Sequence, residues 1–377
     1  LEHFKGSYAG NGFNLIFVPM PFPGNSPPGS PDGPMDNKLF LNLTTEQLTF
    51  GPSLGSIPNR GFANQADIHL GGLPYLQTVQ NTTNSSTGKG DKPRSTEHSG
   101  IHFEPGVWLH VPAAKSFQDR DSIVRMASIP HGTTINAQGF VPDRNPATVS
   151  GGKPGPPVFE TIDTTPFILG SPQSRIPFPN MTAETKNNLR VPADLSPFIK
   201  TGRINSAIIK NPNIVLQDAI NTSKLKILET TTFKVATGLP SAQLNGGGTA
   251  NIAFLAGKQS EVTTASPGQG DNPNAHASTM ESTFYIERVE YDVVVDKMKG
   301  GTTQILLASL PAGARAPTPS FAVTAPPGGV PARKTIKVVG VQIQYSQNVS
   351  INFGPGGTIL TWPHVSVATL VPTDPQP

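Results

Sequence analysis

Val339-Gly340-Val341-Gln342-Ile343-Gln344-Tyr345-Ser346-Gln347-Asn348-Val349-Ser350-Ile351-Asn352-Phe353 alternates almost without a break. Val339, Val341, Ile343, Tyr345, Val349, Ile351 and Phe353 share one parity, with amides and serines on the other, and only Gln347 interrupts the apolar set. A period of two is the side-chain repeat of a strand with one dry and one wet face. Gly354-Pro355-Gly356-Gly357 then supplies a reversal into a second strand-like run, Trp362-Pro363-His364-Val365-Ser366-Val367-Ala368-Thr369-Leu370.

Working outward, Val289, Tyr291, Val293 and Val295 alternate with Glu290 and Asp292. Near the start, Phe13, Leu15 and Phe17 alternate, as do Leu39, Leu41 and Leu43. Leu48 and Phe50 resume on the other parity, which predicts a turn or bulge around Thr44 to Gln47. No fixed repeat is present, which argues against a propeller or solenoid. Helical spacing is confined to about 193–223, where Asn211-Pro212-Asn213 precedes Ile214-Val215-Leu216-Gln217-Asp218-Ala219-Ile220. This segment is expected to cap one mouth of a barrel. Loop excursions are expected at about 81–98 and 141–190. The fold class is therefore all-β, a single barrel domain over 1–377 with long Pro/Gly-rich loops and a short helical cap.

Composition narrows the chemistry. Charged residues make up 14% and the net charge is +3, against roughly 25% charged residues in ordinary domains. No basic block or aromatic platform marks a nucleic-acid site. With no cysteine, disulfides, thiolate metal ligands and thiol nucleophiles are excluded. No apolar run approaches 18 residues, so no membrane span is expected. The compartment is left open. Asn42, Asn81, Asn84, Asn180, Asn221 and Asn348 each begin an Asn-x-Ser/Thr triplet, at a frequency chance explains in so Asn- and Thr-rich a chain.

The eight histidines are the first candidates for ligands or acid–base groups. His102, Glu104, Trp108 and His110 share a face if Ile101 to Val111 is one strand, which separates the two histidines by about 26 Å. A hairpin at Pro105-Gly106 would instead turn them to different faces. Neither geometry chelates one ion. Ser128-Ile129-Pro130-His131-Gly132 holds His131 in a turn that could cover a cavity mouth, with Arg125 nearby to pair with an acidic ligand group. Arg60, in Pro58-Asn59-Arg60-Gly61, is either a solvated charge or an anion contact, and Asp67 and His69 are same-face neighbours on a possible strand. No nucleophile elbow, phosphate loop or His-Glu-x-x-His is present, so no catalytic residue is assigned.

Gly6-Ser7-Tyr8-Ala9-Gly10-Asn11-Gly12 resembles the Gly-x-Trp-x-Gly-x-Gly opening strand of nitrobindin-like, fatty-acid-binding-protein-like heme barrels, with Tyr8 in place of Trp. The final strand resembles their histidine-bearing terminal strand. The likeness extends to longer proteins associated with heme binding through Phe13-Asn14-Leu15-Ile16, Pro58-Asn59-Arg60-Gly61, Ser128 to Gly132, Asn211-Pro212-Asn213 and Trp362 to Leu370. It implies a lipocalin- or nitrobindin-like barrel holding a planar hydrophobic cofactor, heme. His364 would be the metal ligand, with His131 or His110 on the distal side, Arg125 or Arg60 near acidic substituents, and Tyr8 in the opening strand. The resemblance aligns Val367 with the family histidine. A bulge at Pro363 would be needed to bring His364 onto the ligand face. Two other readings accompany this one: a carrier or enzyme for another hydrophobic small molecule, and a structural β-rich protein that self-assembles, with a homo-oligomer possible in either case.

Overall fold

A computed structural model describes residues 3–19, 37–83, 100–114, 120–143, 147–148, 151–176, 195–238, 247–250, 275–353 and 359–377. In chain order the strands are β1 (Gly6–Pro19), β2 (Asn37–Phe50), β3 (Gly55–Asn59), β4 (Ile68–Asn81), β5 (Gly100–Val111), β6 (Ser122–Ser128), β7 (Thr134–Phe140), β8 (Lys153–Pro154) and β9 (Phe167–Ile168). Helices α1 (Ser196–Lys200), α2 (Ser206–Lys210) and α3 (Ile214–Ser223) follow. The rest are β10 (Lys226–Ala236), β11 (Gly247–Ala250), β12 (His276–Val295), β13 (Thr303–Leu307), β14 (Ser320–Thr324), β15 (Lys334–Phe353) and β16 (Leu360–Pro372).

Ten of these strands form a closed antiparallel barrel, in the order β7-β6-β5-β4-β2-β1-β16-β15-β12-β10. The seam is the pairing of β10 with β7 at Ala236 and Gln138. Closure removes the free edges that an open sheet would present. The first and last long strands are neighbours, Gly12 lying opposite Ala368 and Asn14 opposite Ser366. β15 is an interior staff, paired with β12 on one side and β16 on the other through Ile343 to Asn352.

The parity change between Leu43 and Leu48 is not a bulge, because β1 and β2 stay in register from Gly6/Phe50 to Pro19/Asn37. What changes is the partner of each face. Leu39, Leu41 and Leu43, with Phe13, Leu15, Phe17, Val365 and Val367, point outward beneath Phe198, Ile204, Ile208, Ile209 and Leu216 of the helical segment. Leu48 and Phe50 point inward, joining Tyr8, Trp108, Phe284 and Leu370 in the barrel core. The helices thus cover the outer wall instead of capping a mouth, because the wall there is apolar. Burial of each such side chain is worth about 1.5–3 kcal/mol.

The amide face of β15 is not wet either. Gln342 and Gln344 are fully buried, and Gln344 Nε2 donates to the Leu216 carbonyl of α3 and to Thr369 Oγ1. A third cluster lies where β12 and β15 run on beyond the barrel, with Val289, Tyr291, Val293 and Val295 packed against Phe321 and the β13–β14 hairpin. The reversal expected at Gly354 to Gly357 lies outside the described residues, as does most of the expected 81–98 excursion.

Candidate functional site

One end of the barrel is closed by aromatic side chains. Phe4 folds in ahead of β1 and stacks on Phe50 at 4.6 Å, with Trp108, Phe233 and Phe284 within 6.0 Å. Tyr8 belongs to this layer, its hydroxyl donating to the His3 carbonyl at 2.7 Å.

The layer above it is a buried polar network. Arg125 of β6 donates from Nη2 to Glu104 Oε1 at 2.6 Å, from Nη1 to Gln347 Oε1 at 2.7 Å and from Nε to Tyr75 Oη at 2.9 Å. Gln347, the residue that broke the apolar parity of β15, is therefore an inward-facing partner for the guanidinium. Tyr75 Oη also donates to Glu104. Gln77 bridges to a second carboxyl, donating to Tyr345 Oη at 3.0 Å and to Glu46 Oε2 at 3.4 Å, while Tyr345 donates to Glu46 at 2.5 Å.

The two carboxyls are pushed apart. Burial would raise Glu104, but the Arg125 charge, then His102 and Tyr75, overcome it and hold the group at about 2. Among the described residues no cation pairs with Glu46, and burial raises it to about 7 against the bonds from Tyr345, Thr44 and Gln77. Glu46 has room because Gly12 lies beneath it. A Cβ there would stand 2.8 Å from Glu46 Oε1 and 2.7 Å from Thr44 Oγ1.

The far end is where the histidines gather. β5 is a single strand, so His102, Glu104, Trp108 and His110 do share its inner face, and the hairpin alternative falls away. His102 Nε2 is 3.0 Å from Glu104 Oε2, and its ring meets the His131 ring edge-on at 5.3 Å. His131 sits in the β6–β7 turn closed by the Ile129 and Thr133 backbone bond.

His364 reaches the same end without a bulge, since β16 pairs regularly with β15 from Pro363/Ser350 through Leu370/Ile343. It shares the inner parity of Ser366, Ala368 and Leu370, whereas Val367 faces the helices. Asn14 Nδ2 donates to His364 Nε2 at 2.8 Å and to Ser366 Oγ at 2.9 Å, and Asn42 donates to Asn14 Oδ1 at 3.3 Å. Part of His364 remains accessible, yet its ring is walled in; burial first, then the nearby His102 and His131, push it down to about 3. It is neutral at physiological pH. His131 is lowered too, by burial and then by His102.

No protein-family model, curated protein or solved structure matches this chain.

Of the residues picked from sequence, His364 and His131 come together, joined by His102. His110 lies at the aromatic end of β5, where its Nε2 is 2.9 Å from Asp121. Arg125 is held in the barrel centre by Glu104, and Arg60 is on the surface paired with Asp67 at 2.6 Å. Sequence reasoning missed Glu46, Gln77, Tyr345, Asn14 and Asn42. The signal for Asn14 and Asn42 was present as polar residues between outward-facing apolar ones. Among the described residues no group of three or more His, Asp or Glu is placed to hold a metal ion, and no helix is long and apolar enough to cross a membrane.

Proposed function

We propose that the barrel binds a small molecule at its histidine end, and that this molecule is a planar cofactor of the heme class held through His364. The observation that carries the reading is a neutral imidazole on the inner wall of a closed barrel, oriented by Asn14, with His102 and His131 at the same end. Neutral imidazole is the form that ligates metals.

The residues present fit such a group on one condition. Asn14 Nδ2 now donates to Nε2, so the neutral ring carries its proton on Nδ1. Turning the Asn14 amide over, together with that of Asn42 so that Asn42 Oδ1 accepts from Asn14 Nδ2 in place of the present bond, lets Asn14 Oδ1 accept from Nε2–H and frees Nδ1, the arrangement in which metal-bound histidines are usually held. Ser366 can donate to the same oxygen, because a hydroxyl serves either role. A bound heme supplies an iron centre whose reactivity follows from its axial ligand and distal polarity. His131, neutral and partly exposed, would provide a distal hydrogen-bonding group. Arg125, committed to Glu104, would not reach acidic substituents.

A second reading, an iron-free ligand, is favoured by the same wall, since Asn14, Asn42 and Ser366 offer hydrogen bonds to any polar molecule. Hemin titration decides between them. The heme reading expects an absorption band near roughly 400 nm that His364→Ala abolishes. Absence of the band overturns it, and native mass spectrometry of the purified protein then identifies a retained iron-free ligand.

A further inference from the structure

The outer wall of the barrel changes character along β1 and β2. Where the helices cover it, it is apolar; further along it bears amides and hydroxyls. The register sets these side chains in two rows: Asn11 opposite Thr45 and Thr45 opposite Gln80, then Ala9 opposite Gln47 and Gln47 opposite Thr78. None of Asn11, Thr45, Gln47, Thr78 or Gln80 has a side-chain hydrogen-bond partner among the described residues.

These rows form the floor of a groove of about 600 Å³, walled by Leu307 of β13, by Pro317 and Thr318 ahead of β14, by Ser320 at its start, and by Pro372 at the end of β16. That volume lies within the range of small-molecule sites, roughly 300–1,000 Å³. The ionisable residue on its lining, Glu46, turns its carboxyl inward to Tyr345.

The chemistry selects a ligand class. With no charge facing it among the described residues, the groove has nothing to pair with a phosphate, carboxylate or ammonium group. A peptide strand cannot be added, because the backbone of β1, β2 and β4 is already paired on both sides. Amides and hydroxyls that each donate and accept match a dense array of neutral hydroxyls. Ala9 keeps the floor low, and Leu307, Pro317 and Pro372 offer apolar contact to the C–H faces of a sugar ring. We propose that this groove binds a neutral oligosaccharide, independently of any ligand inside the barrel.

The test is saturation-transfer NMR and calorimetry on the intact chain with maltotriose, cellotriose, mannotriose and chitotriose. At least one should bind saturably below about 10 mM. Thr45→Arg, which fills the groove, should weaken that binding at least tenfold, and Gln80→Leu several-fold, with circular dichroism matching the unaltered chain. The proposal is overturned if no sugar binds, or if binding survives Thr45→Arg. Since Thr45 faces away from the histidine end, hemin binding tracks His364 and sugar binding tracks Thr45, so either result stands without the other.

Discussion

Replacing Arg125 by Met tests whether the barrel interior is organised around one buried ion pair. The guanidinium is 2% exposed and donates to Glu104, Gln347, Tyr75, Gln77 and Ser282. Met fills part of the volume but leaves Glu104 with Tyr75 and His102 as its partners. Breaking a buried pair from one side costs about 3–5 kcal/mol, because the remaining charge is stranded. With a urea m-value of roughly 2–3 kcal/mol/M, the unfolding midpoint should fall by about 1–2.5 M. Trp108, whose ring lies 5.8 Å from the guanidinium carbon, gives a fluorescence readout at the site. Adding Glu104→Leu to Arg125→Met should recover much of the loss, since no charge is then stranded. The pH dependence has a definite sign. Glu104 is depressed to about 2 when folded against about 4.3 unfolded, so its contribution is present above about 4.3 and disappears as pH falls towards 2. The gap between the unaltered chain and Arg125→Met should therefore narrow in acid. A loss below about 1 kcal/mol, or a double variant less stable than the single one, would refute the reasoning.

Glu46 should behave oppositely: raised to about 7 when folded against about 4.3 unfolded, it holds its proton longer in the native state. Stability should fall as pH rises between those values, and Glu46→Gln should flatten that slope in pH-dependent urea titrations. Gly12→Ala forces a methyl against the Val367 backbone carbonyl of the neighbouring β16 as well as against Glu46 and Thr44 and should cost at least about 1–3 kcal/mol by overpacking, measured by thermal unfolding; an unchanged midpoint would mean that β1 and β16 shift apart there without cost.

The strands were legible because each has a buried face, and period two survives whichever face that is. What alternation cannot reveal is the side. Leu39, Leu41 and Leu43 read as a core face, and so do Leu48 and Phe50, but the first set packs under helices outside the barrel and the second inside it. Gln342 and Gln344 looked wet and are buried for the same reason: a helix folded from about 120 residues upstream reaches Gln344, and Gln342 is taken up by the buried Glu287 of β12. The facing of His364 was read the wrong way round: the resemblance put Val367 on the ligand face and required a bulge for His364, whereas a regular β16 turns His364 inward and Val367 toward the helices. Its company was not legible either, since His102 and His131 reach it only through the pairing of β5 with β6 and the closure of the sheet. Arg125 and Glu104 are twenty-one positions apart on adjacent strands, and no local pattern joins them.

The central network also constrains what the barrel can hold. Below it the interior is filled by Phe4, Phe50, Trp108, Phe233 and Phe284; at its level the space is taken by Arg125, two carboxyls, two tyrosines and two glutamines. An interior ligand therefore does not run the length of the barrel, as a long acyl chain would need. It rests on a polar floor, facing Gln77, Glu46 and His102, and meets Asn14, Asn42, Ser366 and His364 on the wall. That floor is buried and its groups are already hydrogen-bonded to one another, so hydrocarbon laid over it gains no polar partner from it. A ligand of the proposed site would therefore be flat or compact, would carry polar atoms on its inward side, and would enter by the histidine end.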